Sequence, residues 1–419
     1  MGKKLNLSSN HNCRGCNNLL QGKHLDLGLQ VLSNRFTSAA TIPEYTHSLV
    51  MVACSSCGLL QLSSPPPVAE IVPRFPWIMY NEPEGHLDHL AGLLCDPIKT
   101  KKECVAAGIS YKDDTLLERL RERGIHTTWR ISPHDLGMDG NKIEIETVQE
   151  RLSRGKTIKD ISSAHERPDI LLVRHVLEHA HDTGAFLAAL KKIIKPGALM
   201  AFEAPDCTTV LTTKDYSAIW EEHVLYFTPT TLRACLESHG FKVERIENYQ
   251  YPLENSLVAF VRAATDNSAA LTVTEAEKEE ERTLSNGYLA AFASEKAQYH
   301  QVLNEYKSQG SKIAILGAGH LTCSFVNLLG LQDLIECVID DDPNRQGLHM
   351  PGSRLPIVPS SVLHNGQIAL CLLGLNPLNE EKVIARHHQF QVNGGRFRSI
   401  FPASKLAIRR HGEYIRCKR

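Results

Sequence analysis

The sequence predicts an α/β protein that combines a small cysteine-rich N-terminal module with two units of alternating strands and helices. Three observations predict this class: two cysteine pairs before residue 60, a strand and helix alternation from about residue 100 to 263, and a strand, glycine turn and helix that begin at Lys312. Such alternation favours doubly wound, mostly parallel sheets. We place the domain boundaries at 1–90, 91–273, 274–310 and 311–419.

The amino-acid composition limits the kinds of partner that we expect the protein to bind. The 419 residues include 46 basic and 47 acidic side chains, so the net charge of −1 favours neither nucleic acid nor an anionic membrane surface. No uninterrupted apolar run reaches the roughly 18 residues that a membrane span requires. Eight of the twelve cysteines are scattered singly, as is typical of reduced thiols in the cytoplasm, where we expect the protein to reside.

The cysteine pairs predict a metal site. Cys13-x2-Cys16 and Cys54-x2-Cys57 are separated by 37 residues, a spacing typical of structural zinc sites. Four thiolates complete a closed tetrahedron, so the zinc ion would stabilise the fold and would leave no open position for chemistry. The alternative is four reduced cysteines in an ordinary domain.

A polar and aromatic segment follows the N-terminal module. It runs from Trp77 to Asp88, beyond a proline-rich stretch that ends at Pro67. One interpretation is a substrate-contacting loop that uses Asn81, Glu82 and His86; the alternative is a solvated loop that leads into a helix.

The central unit shows regular alternation. The predicted elements are a helix over Thr115–Gly124, strands over Ile125–Ile131 and Asp169–Val173, a helix over Ala185–Lys195 and a strand over Ala198–Glu203. Residues 274–308 predict one long connecting helix, and the following strand Lys312–Leu316 with Gly317-Ala318-Gly319 predicts a Rossmann-like unit. A second strand, Leu334–Ile339, ends in three aspartates.

Two clusters in the central unit suggest chemistry. In Trp220-Glu221-Glu222-His223, a histidine beside carboxylates suits removal of a proton next to a carbonyl, which makes His223 a candidate base. The alternative is a capping or surface histidine. The second cluster, Arg174 to His179, follows a strand, where α/β folds place ligands.

Four blocks in order resemble the zinc-containing sugar C-methyltransferases of deoxysugar biosynthesis. The first is the cysteine module with "LDLGLQVLSNRF" (Leu25–Phe36) and "CSSCGLLQL" (Cys54–Leu62). The others are "VLEHAHDTGAFLAALKKIIKPGALMAFEAP" (Val176–Pro205), "EEHVLYFTPTTLRACLESHGFKVERIE" (Glu221–Glu247) and "ILGAGHLTCSFVNLLGLQDLIECVIDDDPNRQGLHMPGSRLPI" (Ile315–Ile357). The resemblance implies a central class I methyltransferase-like sheet and a C-terminal Rossmann-like domain that helps to enclose the substrate.

The resemblance also implies a reaction. Members of that family remove the proton beside the ketone of a nucleotide-linked 4-keto-sugar, and the enediolate attacks the methyl group of S-adenosylmethionine (SAM). By this mapping His223 is the base and Glu222 its neighbour or proton relay, Tyr226 and Phe227 line the pocket, and Tyr80 is the counterpart of a helper tyrosine. Zinc remains structural.

The predicted SAM loop departs from the family pattern. The family reads about Glu-Ile-Gly-Ser-Asn-Asp-Gly where this chain has Gly108 to Asp114, so both turn glycines are lost, and Ser132 replaces an acid at the end of the next strand. Glycine allows close backbone approach to a ligand, so we infer that SAM binding is altered, weakened or abandoned. The residues that the resemblance assigns to SAM are Ser110, Asp113, Ser132, Glu178 and His179.

The sequence therefore predicts a SAM-dependent C-methyltransferase that acts on a nucleotide-linked keto-sugar. One alternative is a keto-sugar isomerase or epimerase that has lost SAM. The other is a protein that binds sugar nucleotides without catalysis. A dinucleotide at Gly317-Ala318-Gly319 is a further, weaker hypothesis because two glycines alone are a poor signal.

Overall fold

The structure is a computed structural model, and it describes residues 11–78, 82–96, 103–138, 145–154, 157–264 and 271–409. The described residues form three β-sheets, one in each of the predicted units. Within the described ranges, no helix has both the length and the apolar character needed to cross a membrane. The proposed domain boundaries stay a prediction.

The first sheet is antiparallel and joins the N-terminal module to the central unit. Its strands, in sheet order, are β1 (His24–Val31), β2 (Thr46–Ala53), β3 (Leu60–Leu62) and β8 (Leu225–Tyr226). Strand β8 follows directly after His223, and it pairs with β3 through Leu60 opposite Tyr226. The candidate base is therefore anchored to the zinc module by a sheet that the sequence did not predict.

The central sheet is the predicted α/β unit. In sheet order it contains β5 (Thr127–Arg130), β4 (Val105–Gly108), β6 (Ile170–Arg174), β7 (Leu199–Asp206), β10 (Asn255–Ala263) and β9 (Phe241–Tyr249). Strands β4 to β7 are parallel, and β10 is antiparallel to both of its neighbours. Strands β6 and β7 are buried along their whole length, as expected for parallel strands that are covered on both faces.

Helices flank the central sheet. They are α1 (Val68–Ile71), α2 (Leu87–Cys95), α3 (Asp114–Glu122), α4 (Ile145–Ser153), α5 (Thr157–Ala164), α6 (Thr183–Ile193), α7 (Thr208–Thr213) and α8 (Pro229–Ser238). Helix α6 begins two residues before the predicted start because the Asp182 side chain accepts a hydrogen bond from Ala185 N and caps it. Pro229 opens α8 behind the cap residue Thr228.

The long connecting helix is present as α9 (Glu275–Ser308). The side chains of Thr274 and Glu277 form a reciprocal capping box at its start. Along its length α9 contacts the zinc module, where Ser285 Oγ donates to Gly58 O at 2.7 Å, and the C-terminal unit, where Tyr299 packs on Phe325. Helix α9 thus connects the zinc module to the C-terminal unit.

The third sheet is the C-terminal Rossmann-like unit. In sheet order its strands are β13 (Ile357–Val358), β12 (Cys337–Ile339), β11 (Lys312–Leu316), β14 (Ile368–Leu373) and β15 (Arg396–Ser399), and all are parallel. Its helices are α10 (His320–Leu329), α11 (Glu380–Arg386) and α12 (His388–Val392). Strand β12 is shorter than predicted because residues 332–334 form a 3-10 turn.

Candidate active site and metal centre

The four predicted zinc ligands come together. The Sγ atoms of Cys13 and Cys57 are 3.8 Å apart, those of Cys16 and Cys54 are 3.7 Å apart, and all four lie within 4.8 Å of one another. A tetrahedral Zn–S bond of about 2.3 Å requires sulfur atoms about 3.8 Å apart. The cluster therefore has the size and the ligand chemistry of a structural zinc site.

Neighbouring groups support this cluster from outside. Gln61 Nε2 donates to Cys13 Sγ at 3.0 Å, and Ser56 N donates to Cys54 Sγ at 3.4 Å. Such donors orient thiolates and offset their negative charge. Gln61 is on β3, so the metal centre is coupled to the sheet that carries β8.

His223 lies in an aromatic cage. Its ring centroid is 4.8 Å from His179, with the planes nearly perpendicular, and 4.7 Å from Trp220. His320 of the C-terminal unit stacks on the other side of Trp220 at 4.3 Å. Burial, followed by the positive charge of surrounding groups such as His175 and Lys112, lowers the pKa of His223 well below its usual range. The imidazole is therefore neutral near pH 7 and is free to accept a proton.

The two glutamates before His223 are held by the N-terminal module. Asn34 Nδ2 donates to Glu222 Oε1 at 2.9 Å, while Ser33 donates to Glu221 Oε1 through its amide at 2.5 Å and its hydroxyl at 2.9 Å. Asn34 and Ser33 follow β1, so two units together position the predicted base and its neighbour. The sequence analysis missed both residues, although they end the quoted block Leu25–Phe36.

Two cavities meet at His223. The larger has a volume of about 270 Å³ and is bounded by the ends of the central sheet and by the C-terminal unit, with His175, Glu254, His320 and Asn376 in its wall. The smaller has a volume of about 30 Å³ and lies against Tyr111, Lys112, His179 and Glu222. Glu82 and Trp220 also line both cavities. His223 can thus be reached from the larger cavity.

Tyr226 and Phe227 are placed differently from our expectation. Both are buried, and neither is in the wall of the two cavities that meet at His223. The Tyr226 hydroxyl accepts from Trp220 N at 2.9 Å and donates to Trp220 O at 3.2 Å. These contacts brace the loop that carries the base, so Tyr226 positions the site from behind.

The substrate loop is described only in part. Tyr80, the predicted helper tyrosine, and Asn81 lie outside the described residues. Glu82 is in the wall of both cavities, as a substrate-contacting residue would be. His86 is buried instead: its Nδ1 is 2.8 Å from the Tyr251 hydroxyl, and its Nε2 is 3.1 Å from Glu203 Oε1.

The predicted SAM turn has a geometry of its own. Ser110 has an extended backbone (φ −139°) and Asp114 a helical one (φ −55°), so neither replaced glycine is in the left-handed region and neither substitution is strained. The Ser110 hydroxyl accepts from Lys112 N at 3.2 Å, and the Asp113 carboxylate accepts from Ile109 N and Ser110 N. The turn is closed by its own side chains.

Gly108 explains how Asp113 fits. A Cβ atom at Gly108 would lie 2.6 Å from Asp113 Cβ, which is too close for any side chain. Asp113 is fully buried and also accepts from Arg174 N. Burial raises the pKa of Asp113 to about 6 despite these hydrogen bonds. The space next to the end of β4 is thus filled by Asp113.

A network of buried charges covers this turn. Lys112 Nζ is 2.5 Å from Glu82 Oε1, Arg174 Nε is 2.5 Å from Glu203 Oε2, and His175 Nε2 is 3.2 Å from Glu203 Oε1. Arg174 also donates to the carbonyl oxygen of Lys112. Although burial alone would lower it, the carboxylates of Glu82, Glu178 and Glu203 raise the pKa of His175 to about 10. The charges compensate one another without any ligand.

The remaining residues assigned to SAM are also engaged within the chain. Ser132 Oγ donates to Asp135 Oδ2 at 2.7 Å, so its proton is not available for a ribose. Glu178 Oε1 is 3.4 Å from His175 Nδ1, and His179 faces the small cavity and His223. The cleft between this turn and His223 has a volume of only about 30 Å³, which is room for little more than a water molecule. The cleft in this arrangement therefore does not fit SAM.

The C-terminal glycine turn has its own acidic partner. Asp340 Oδ2 accepts from Ala318 N at 2.9 Å and pairs with Arg345 Nη1 at 2.9 Å. The carboxylate that would hold a ribose is thus used to brace the turn. These contacts do not support the dinucleotide hypothesis.

The sequence indicated His223, but it did not indicate most of the residues that surround it. Lys112, Glu203, Glu254 and His320 were not predicted to surround the base. A partial signal exists for Glu203, because a charged residue inside the apolar run Ala198–Pro205 must find a buried partner.

Comparisons with known proteins agree with this architecture. Residues 13–71 match the family described as "Putative zinc binding domain", residues 106–246 match "Methyltransferase domain", and residues 256–402 match "C-methyltransferase C-terminal domain". The C-methyltransferase NovU of Streptomyces niveus is 24% identical over 299 residues, which are 69% of this chain and 70% of NovU.

Solved structures give weaker likenesses. The magnesium protoporphyrin IX methyltransferase ChlM of Synechocystis PCC 6803 has a TM-score of 0.30 and 13% identity over 42% of this chain and 82% of that chain. The mitomycin 7-O-methyltransferase MmcR has a TM-score of 0.29 and 18% identity over 43% of this chain and 54% of that chain. An O-methyltransferase family protein from Burkholderia thailandensis has a TM-score of 0.27 and 12% identity over 42% and 56%, so the chain spans little more than half of the latter two proteins.

The order of the matched domains is informative. A zinc-binding domain, a methyltransferase domain and a C-methyltransferase C-terminal domain follow one another along the chain. The four-cysteine cluster lies in the first of these domains and has the ligands that a zinc ion needs. The matched domains show a methyltransferase enzyme that is similar to C-methyltransferases with an N-terminal zinc-binding domain.

Proposed function

We propose that this enzyme is a C-methyltransferase that acts on a nucleotide-linked keto-sugar and begins by removing the proton next to the ketone. The observation that carries the proposal is the position of His223, a neutral imidazole at the wall of a cavity of about 270 Å³. Resemblance to the sugar C-methyltransferases supports the substrate class, and the likeness to the C-methyltransferase NovU supports methyl transfer to carbon.

His223 acts as the general base. Its neutral ring is held between Trp220 and His179, so its orientation is fixed before substrate arrives. A base with a lowered pKa is a weak one, but its conjugate acid returns a proton readily. A group that both accepts and returns a proton suits a reaction in which an enediolate forms and is then converted back to the ketone.

Glu222 either orients the His223 ring or relays its proton. Its Oε1 is fixed by Asn34 at 2.9 Å, and its side chain lies at the small cavity with His223. A carboxylate in this place stabilises the protonated imidazole that forms during proton removal. The sugar would lie in the larger cavity, between His223 and the C-terminal unit.

SAM, when bound, supplies the methyl group that the enediolate accepts. The cleft described above is closed in this structure, so methyl transfer requires the Lys112 and Glu82 side chains to move apart. The closed cleft also favours a second candidate, an isomerase or epimerase in which the carbon regains a proton. The third hypothesis, binding without catalysis, predicts no chemistry at His223.

The test is a methyl-transfer assay. SAM with a deuterated methyl group is incubated with UDP- and dTDP-linked 4-keto-6-deoxyhexoses, and the sugar nucleotides are analysed by mass spectrometry. We expect a methylated product that His223→Ala reduces at least about 100-fold, the contribution usual for a general base. Arg154→Ala, which changes an exposed side chain directly after α4, is the control. If wild-type enzyme yields no methylated sugar from any of these probes, the assignment is wrong.

A further inference from the structure

The base has access on one side and is blocked on the other. His223 lines both the cavity of about 270 Å³ and the cavity of about 30 Å³. The first has room for a sugar ring. The second, next to the turn after β4, has room for little more than a water molecule. A substrate can therefore reach His223 from the larger cavity, where a proton would be removed. The space on the other side, where a methyl donor would bind, is occupied by side chains.

One ion pair closes the small cavity. Lys112 comes from the turn after β4, and its side chain is only 6% exposed. Its Nζ contacts Glu82 Oε1 at 2.5 Å, and Glu82 comes from the segment before α2. Both side chains line the cavity, so the pair forms part of its wall.

The pair is supported on both sides. Arg174 donates to the Lys112 carbonyl oxygen and pairs with Glu203, while His175 Nδ1 is 3.9 Å from Glu82 Oε2. The Lys112 side chain is buried, whereas that of Glu82 is 26% exposed. Separation of the pair is unfavourable mainly because the Lys112 ammonium would lose its carboxylate partner in a poorly solvated place. The closed cleft is thus a stable arrangement of this chain.

We propose that this enzyme catalyses exchange of the α-proton of its keto-sugar with solvent without SAM, and that the Glu82–Lys112 pair is the barrier to SAM binding. This rests on the proposed function for the substrate class alone. It concerns a reaction that needs the base and the larger cavity and leaves the cofactor cleft closed.

The chemistry balances without a co-reactant. The C–H bond next to the ketone breaks, its proton moves to His223, and its electron pair forms the enediolate. The protonated imidazole exchanges with solvent and returns a proton to the same carbon, so a C–H bond forms again and no group is oxidised or reduced.

Lys112 offers a direct way to open the cleft. Asparagine in its place has a shorter, uncharged side chain. In Lys112→Asn the ammonium is removed from the cavity while the turn can keep its capping contacts, because these use Ser110 and Asp113. We expect SAM to bind this variant at least 10-fold more tightly than it binds wild-type enzyme.

The experiment combines two measurements on the full chain. Proton NMR in D2O follows loss of the α-proton signal of the UDP- and dTDP-linked 4-keto-6-deoxyhexoses in the absence of SAM, and calorimetry measures SAM affinity. Wild-type enzyme should exchange the proton, His223→Ala should lose at least 100-fold of that rate, and Arg154→Ala should match wild type. Circular dichroism of His223→Ala excludes unfolding as the cause.

The outcomes separate the two proposals. Methylation with SAM but no exchange without it would overturn this inference and leave the proposed function intact. Exchange without SAM but no methylated product would support the inference and contradict the proposed methyl transfer. Equal SAM affinity of wild type and Lys112→Asn would show that the Glu82–Lys112 pair is not the barrier.

Discussion

Lys112 and Glu82 are 30 residues apart in the sequence, yet the Lys112 ammonium, in the methyltransferase domain, lies 2.5 Å from the carboxylate of Glu82, which precedes that domain. Arg174, His175 and Glu203 continue this contact into one buried network at the carboxyl ends of β4, β6 and β7. Ligands of α/β proteins bind at such strand ends. In this chain, the side chains of the network occupy the position at the strand ends where a ligand would lie.

The buried network should be costly to break at one partner. Arg174→Met leaves Glu203 short of its strongest partner, so we expect the free energy of unfolding to fall by about 3–5 kcal/mol. Arg154→Ala removes an exposed pair with Glu150 and should cost about 0.5 kcal/mol. Urea unfolding followed by circular dichroism measures both.

The double variant Arg174→Met/Glu203→Met provides a check on the cause. It removes both charges, so it should be more stable than Arg174→Met alone. If the double variant is the less stable of the two, then the unpaired charge is not what destabilises the single variant.

The zinc centre should be required for the N-terminal module. We expect one zinc ion per chain by elemental analysis, and Cys54→Ser should lower both the zinc content and the midpoint of thermal unfolding, because a structural zinc ion contributes directly to folding. Cys95→Ser, at a half-buried cysteine in α2, is the control and should keep its zinc. Full zinc content in Cys54→Ser would contradict the four-cysteine site.

Gly58 should be intolerant of any side chain. Its φ of +79° costs a non-glycine residue about 1 kcal/mol, and an added Cβ would lie 2.5 Å from Glu281 Cβ and 2.6 Å from the Glu281 carbonyl carbon in α9. We expect Gly58→Ala to lose about 1–3 kcal/mol more than that from overpacking.

Gly28 provides the matched control. Its φ is +73°, but nothing lies within 4 Å of an added Cβ, so Gly28→Ala should cost the backbone strain alone. Chemical unfolding of the two variants checks the difference. Equal losses would mean that α9 moves freely away from the zinc module.

His175 should make stability fall on the alkaline side. Its pKa is raised from 6.5 to about 10, so its folded form holds a proton that the unfolded chain has lost. The stabilisation is fully present below about pH 6.5 and is lost as the pH rises toward 10. We expect the loss of unfolding free energy between pH 7 and 9.5 to be smaller in His175→Gln than in wild type. An NMR titration that places the His175 pKa near 6.5 would contradict this prediction.

The sequence by itself determined the parts of the structure that depend on local pattern. The zinc cysteines, strand Lys312–Leu316 and helix α9 follow from spacing, apolar runs and capping residues, which act over a few positions. The domain order followed from four resembling blocks, and the matched domain families agree with it.

Tertiary structure alone decided how the site is built. Pairing of β8 with β3, the hold of Asn34 on Glu222 and the Lys112–Glu82 pair join residues that are distant along the chain. The sequence showed that both turn glycines after β4 are replaced, but only the structure shows that Ser110 and Asp114 are unstrained there and that Gly108 leaves room for Asp113. The residues next to a charged side chain in the sequence do not indicate its partner, because burial and pairing arise only when the chain is folded.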